Sequence, residues 1–171
     1  MSKTVETPAP ADPDPAAPSS TAEPQWLDEQ EMGAWLPLMR VLHLLPQQLD
    51  RQLREQAGIN HTYYMIMALL SAQPGCEMTL SGVAHGVGMI PSRLTHALGS
   101  LESRGWVERQ PCPTDRRVQY ARLTDEGMRT LERAAPGHVA EVRRTVIDVL
   151  DRRDLAALRR IAEKIAAPLE G

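Results

Sequence analysis

Residues 91–127 read PSRLTHALGSLESRGWVERQPCPTDRRVQYARLTDEG, and this run decides the architecture. Leu94, Leu98 and Leu101 recur at helical spacing and form the face to be buried. Arg104-Gly105 ends that helix, because glycine accepts the left-handed backbone a helix C-terminus needs. Trp106 to Arg109 alternates like a short strand, and Val118 to Leu123 does so again. Between them, Pro111-Cys112-Pro113-Thr114-Asp115-Arg116-Arg117 sets two prolines in a turn that ends in adjacent cations. Thr124 then caps another helix, with Asp125 and Glu126 in the first turn, where the helix dipole favours anions. A helix followed at once by a basic hairpin suits DNA, one part for a groove and one for the backbone beside it.

Just upstream, Thr79 to Met89 gives a short helix and a glycine turn, with Leu80, Val83, Ala84 and Val87 facing inward. Small Ala84 and the turn residue Gly88 allow two steeply crossed helices to pack closely, so this helix and the next form a helix-turn-helix. With the leucines inside, Ser92, His96, Gly99 and Ser103 point outward, and Arg93, Thr95 and Ser100 flank them. Ser92, Arg93, Thr95 and His96 are the candidate base readers in a major groove, and Arg93 has the fork that fits guanine O6 and N7. Taken alone, the helix is equally consistent with an ordinary solvated polar face. In the hairpin, Asp115 and Arg117 lie two apart and share a side, so the carboxylate is placed to brace the guanidinium. Arg116 points the other way, toward phosphate or a narrow minor groove. The blander reading of the pair is a solvated surface ion pair.

Asp115-Arg116-Arg117, five residues, then Leu123-Thr124-Asp125-Glu126-Gly127 resembles the wing signature of the MarR family of bacterial transcription regulators. Leu94-Thr95 through Leu101-Glu102, followed by Arg104-Gly105-Trp106-Val107-Glu108-Arg109, is similar to that family's recognition helix and first wing strand. The resemblance covers roughly residues 27–169. It implies a winged helix-turn-helix lobe, an obligate homodimer, a palindromic operator, and repression relieved by a ligand or an oxidant. Two positions depart from the pattern. Ile90 stands where a serine or threonine often precedes the helix-opening proline, which forfeits a cap worth about 1 kcal/mol unless Ser92 serves and the helix starts late. The cation that members often carry at the positions of His96 or Ser100 is here Arg93, so operator preference should differ.

The flanks are helical. From Leu27 to Gln56, Trp35, Leu38, Met39, Leu42, Leu45, Leu49 and Leu53 recur at three-to-four spacing, and Pro37 and Pro46 predict a bent or segmented helix. Asn60 or Thr62 caps a second, nearly all-apolar helix from Tyr63 to Gln73. After the wing, Met128, Leu131, Ala135, Val139, Val142, Val146 and Val149 form a coiled-coil-like seam that Pro136-Gly137 breaks or kinks. Asp154 caps a last helix with Leu155, Leu158, Ile161, Ala162 and Ile165 on one face. These flanks carry more apolar stripe than the small lobe can cover, and a second copy is the economical cover; a monomeric helical bundle is the alternative. The fold expected is mainly α with a small β-wing. A Pro-rich acidic tail over 1–24, expected to be disordered, precedes a domain over 25–171. Its dimerisation helices run over about 27–56 and 124–169, and its DNA-binding lobe over about 60–123.

Charge is consistent once divided. The net charge of -3 comes from a tail in which residues 1–32 hold one lysine against seven acids, so the rest is +3. Residues 79–123 hold six arginines against three acids. The absence of a long apolar run or an apolar leader reads as cytoplasmic. Cys76 and Cys112 form no CxxC pattern, and no HExxH, GxSxG or phosphate loop occurs, so neither metal nor cofactor is expected and the chain reads as no enzyme. Cys112, near Arg109 and Arg116, is an oxidant sensor or an inert loop thiol. The resemblance puts an effector pocket between the dimer helices and the lobe, with Trp35, Met39, His43, His61, Tyr64 and Met65 as candidate lining for a soluble aromatic. The competing function is a helical protein-interaction module that does not touch DNA.

Overall fold

The structure, a computed structural model, describes residues 24–112, 114, 115 and 117–169. The first 23 residues, which make up nearly all of the expected acidic tail, lie outside them, as does Arg116. Two compact units divide at Leu36 and Pro37. In the first, Asp28 starts helix α1 (Glu29–Ala57) with a reciprocal cap: its Oδ1 accepts the Glu31 N–H at 2.8 Å and its own N–H donates to Glu31 Oε2 at 2.9 Å.

Helix α1 runs unbroken through Pro37 and Pro46, so the expected segmentation does not occur. Each proline deletes only its own bond to the turn before it, and the bonds on either side carry the helix onward. Its last turns bury Leu49, Gln52 and Leu53. Asn60 settles the cap of α2 (His61–Ser71), accepting the Tyr63 N–H at 2.8 Å, so the helix starts two residues earlier than expected. A short strand β1 (Glu77–Thr79), absent from the sequence reading, precedes α3 (Leu80–Gly86) and α4 (Pro91–Ser103). Strands β2 (Val107–Pro111) and β3 (Gln119–Leu123) form the hairpin, and β1 adds to its free side in an antiparallel sheet of order β1-β3-β2. Three residues with one apolar side chain carry too little pattern to announce a strand; β1 exists because β3 offers it an edge.

The core is one cluster built from α1, α2, α3, α4, the sheet and α5 (Asp125–Val142). Leu53, Ile66, Met67, Leu70, Val83, Leu98 and Leu101 are sealed in it, each worth roughly 1.5–3 kcal/mol of burial. Gly105, at φ +71°, turns the chain from α4 into β2 while its N–H and that of Trp106 cap Glu102 and Leu101. Thr124 caps α5 as expected, its Oγ1 accepting the Gly127 N–H at 3.0 Å.

The last third departs from expectation in two ways. Helix α5 passes through Pro136-Gly137, and its irregularity is a π-turn at Arg143–Ile147. Its buried face is Gly127, Thr130, Leu131, Ala134 and His138, and Val139 and Val149 of the seam are exposed. Asp151, not Asp154, caps α6 (Arg152–Ala166); its carboxylate takes the Arg153 and Asp154 N–H groups, and Asp154 returns the bond. No residue of α6 is buried. Among the described residues no helix is long and apolar enough to cross a membrane.

Candidate nucleic-acid interface

Helix α4 begins at Pro91 with Ile90 as its cap, and no side chain caps it. Ser92 therefore does not rescue the start. Ile90 is 59% exposed, so replacing it costs little packing. Ile90→Ser should raise unfolding free energy by about 1 kcal/mol in urea denaturation; an unchanged or lower value would show that the cap position lies elsewhere.

Leu94, Ala97, Leu98 and Leu101 fasten α4 to the core, and Ser92, Arg93, Thr95, His96 and Gly99 are left on the outside. Their hydrogen-bond states differ. Thr95 Oγ1 donates to the Pro91 carbonyl at 2.9 Å, and Ser100 Oγ to that of His96 at 3.3 Å. Both hydroxyl protons are spent inside the helix, so these residues meet a ligand as acceptors. Phosphate and guanine require donors, which leaves Ser92, Arg93 and His96 as the outward donors of this face. Gly99 has open space around a would-be Cβ. Gly99→Ala should therefore stabilise the free protein by about 0.5–1 kcal/mol. If a DNA backbone passes over this point, the same change weakens binding; unchanged affinity would remove Gly99 from the interface.

The hairpin closes with Cys112 N–H on the Val118 carbonyl and Val118 N–H on that of Asp115. Asp115 Oδ1 accepts the backbone N–H of Arg117 at 2.9 Å. The carboxylate thus shapes the turn through the main chain, and the expected bond to the Arg117 guanidinium is not formed. An aspartate two residues before an amide closes this ring locally at little entropic cost, while a long guanidinium must be ordered to be paired. Arg117 is left exposed beside Thr79 and Ser81.

Two other arginines of the basic stretch, Arg109 and Arg104, are engaged. Arg109 makes a bidentate pair with Glu102, at 2.8 Å and 2.6 Å, tying β2 to α4. The Arg104 guanidinium lies 4.9 Å from the Trp106 ring centre and 5.9 Å from that of Tyr63. Arg122 stands opposite Glu77 on one side and Glu108 on the other. Among the described residues, Arg93, Arg117 and Arg122 are the cations of this surface that make no ion pair and no contact with an aromatic ring. Sequence order could not separate these two groups, because Glu102 meets Arg109, and Tyr63 meets Arg104, only once the sheet, α4 and α2 pack together.

Behind the reading face, a cleft of about 440 Å³ is bordered by His61, Thr62, Met65, Val87, Met89, Ile90 and Arg93. Of the residues expected to line an effector pocket, His61 and Met65 are here. Tyr64 is buried beneath them against His138, which the sequence did not single out. Met39 and His43 stand exposed on α1, where His43 bonds Gln47, and Trp35 is exposed in the first unit. Cys112 Sγ lies 3.2 Å from Thr114 Oγ1. That hydroxyl, with the Thr114 and Asp115 amides, pulls the thiol below its ordinary pKa, and Asp115 opposes the shift.

Comparison with known proteins places these features. The MarR family model matches residues 59–118. The structure is similar to that of Sco3205, a MarR family transcriptional regulator from Streptomyces coelicolor determined in complex with DNA, at 39% identity and a TM-score of 0.84 over 88% of this chain and 94% of that one. It is similar also to AbsC from the same organism, another MarR family transcriptional regulator, at 36% identity and a TM-score of 0.82 over 86% of this chain and 99% of that one. The transcriptional repressor MprA of Escherichia coli is 31% identical over 87 residues, which are 51% of this chain and 49% of the repressor, so that match spans about half the repressor's length. These proteins are transcriptional regulators.

Proposed function

Because the chain belongs to the MarR family of transcriptional regulators, we propose that it acts as a homodimer that represses transcription from a palindromic operator. Residues 91–104 lie in the major groove and present Ser92, Arg93, Thr95 and His96, with Ser100 behind them. The wing over 110–118 reaches minor groove and phosphate through Arg116 and Arg117, and Asp115 holds the turn. The observation that carries this is the unpaired Arg93 on the outward face of α4, in a fold that overlays a relative determined with DNA.

Two copies follow from the helices outside the lobe, about 27–56 and 124–169. Leu158, Ile161 and Ile165 on α6, and Val41, Leu42 and Leu44 on α1, are exposed large apolar side chains. A second copy would cover such faces, and two-fold symmetry would match a palindrome. The cleft beside His61 and Met65 suits a small aromatic effector, and Arg93 on its rim links occupancy to base reading.

The test is selection of bound fragments from random duplex DNA by the full chain. The expected result is one enriched palindrome with steeply salt-dependent binding. No enrichment at low salt would sink the reading and leave the exposed helical faces as surfaces for protein partners.

A further inference from the structure

Helix α5 packs on α2 through His138, which is 7% exposed. Its Nδ1 is sealed from solvent without a hydrogen-bond partner. Its ring centre lies 4.1 Å from that of Tyr64 and 5.6 Å from that of His61. Whichever tautomer is present, a polar atom has been desolvated for no bond, a cost that an apolar residue would avoid. The neighbouring carboxylates offer no relief. From α1, Gln52 and Gln56 lie over Gly137, and Gln52 Oε1 is itself buried and unpartnered. Asp50, also on α1, is taken by Arg54 at 2.6 Å and by the His61 N–H at 2.9 Å. From α5, Glu141 is held by Arg144 and Gln48, and its pKa falls to about 2. From α2 come only Tyr64 and His61.

We propose that His138, with His61 and Tyr64, is a proton-operated latch between α2 and α5: neutral rings lock the two helices together, and a proton on His138 forces them apart and weakens DNA binding. An imidazolium here would bring a charge into a sealed site whose neighbouring carboxylates are already taken, beside a second imidazole able to charge. Burial, and then His61, hold His138 below the ordinary imidazole range. Burial also lowers His61, and Asp50 partly offsets it. Both groups therefore favour the fold in their neutral form. Their contribution is complete above the ordinary imidazole value of about 6.5 and is lost as pH falls below it. The consequence for DNA rests on the proposed function, because α2 also packs on α4; the latch itself does not rest on it.

The experiment uses the full chain, with His138→Leu and the exposed control His43→Gln. Urea stability and affinity for the enriched duplex are measured at about pH 7.5 and about pH 5.5. Wild type and His43→Gln should lose stability on acidification and bind several-fold more weakly. His138→Leu should hold its affinity within about twofold and lose less stability. Equal losses in wild type and His138→Leu, or none in wild type, would overturn the latch. If His138→Leu does not fold, histidine proton NMR of the wild type decides: a His138 midpoint below about 6.5 supports the latch, and one at or above it overturns it. Should no chain bind any duplex while the two stability profiles still differ, the latch stands and the DNA reading falls.

Discussion

Gly127→Ala should lower the unfolding free energy by about 3 kcal/mol, the upper end of what overpacking a tight core costs. A Cβ at this position would sit 2.1 Å from the Trp106 carbonyl oxygen and 2.7 Å from Leu123 Cδ1. The first of these is backbone, and it is committed: Trp106 O accepts the Thr124 N–H at 3.0 Å. Thr124 in turn donates its hydroxyl to the Gly105 carbonyl at 2.7 Å and caps Gly127. The two ends of the wing and the start of α5 therefore close on one point, where only a hydrogen fits. Gly137 is the control. Its would-be Cβ meets Gln56 Oε1 at 2.4 Å, the far end of a side chain that can swing away, so Gly137→Ala should cost far less. Urea denaturation of both variants checks the contrast. A loss below about 1 kcal/mol at Gly127 would show that the turn can shift to admit a methyl group.

The second large effect concerns DNA. Arg93→Ala should weaken binding to the enriched palindrome by about tenfold to a hundredfold, within the roughly 1–3 kcal/mol that a bidentate base contact discriminates. It should also flatten base preference at one position of each half-site and change affinity for unrelated duplexes far less. Arg117→Ala should weaken all sequences alike and reduce the slope of log affinity against log salt by about one. The difference follows from geometry: Arg93 is on the outward face of the helix start, and Arg117 is on the hairpin. Titration of the palindrome and its single-base variants at several salt concentrations separates the two roles. Equal weakening of every sequence by Arg93→Ala would make it a phosphate contact and move base reading to Ser92 and His96.

Much of the lobe was legible in the chain. Leu94, Leu98 and Leu101 repeat on one helical face, Gly105 ends it, and Thr124 with Gly127 opens the next, because each of these signals acts within a few residues. The failures share a cause. Strand β1 depends on the edge of β3. The burial of Thr130, Ala134 and His138 beside Leu131 depends on where α5 meets α1 and α2. Asp154 drew attention as a cap, but Asp151 has the first claim, since its carboxylate reaches two free amides of the opening turn.

The sequence by itself determined the family signature, the order of helix, hairpin and helix, and the faces of α4, since periodicity and turn chemistry are local. Only the tertiary structure decided which arginines remain for DNA. Arg109 is taken by Glu102 and Arg104 by the Tyr63 and Trp106 rings, and Arg93 and Arg117 are left. It also decided that His138, one of five scattered histidines, lies sealed against Tyr64 and His61. Burial and pairing are properties of distance in space, and the chain encodes them only through packing.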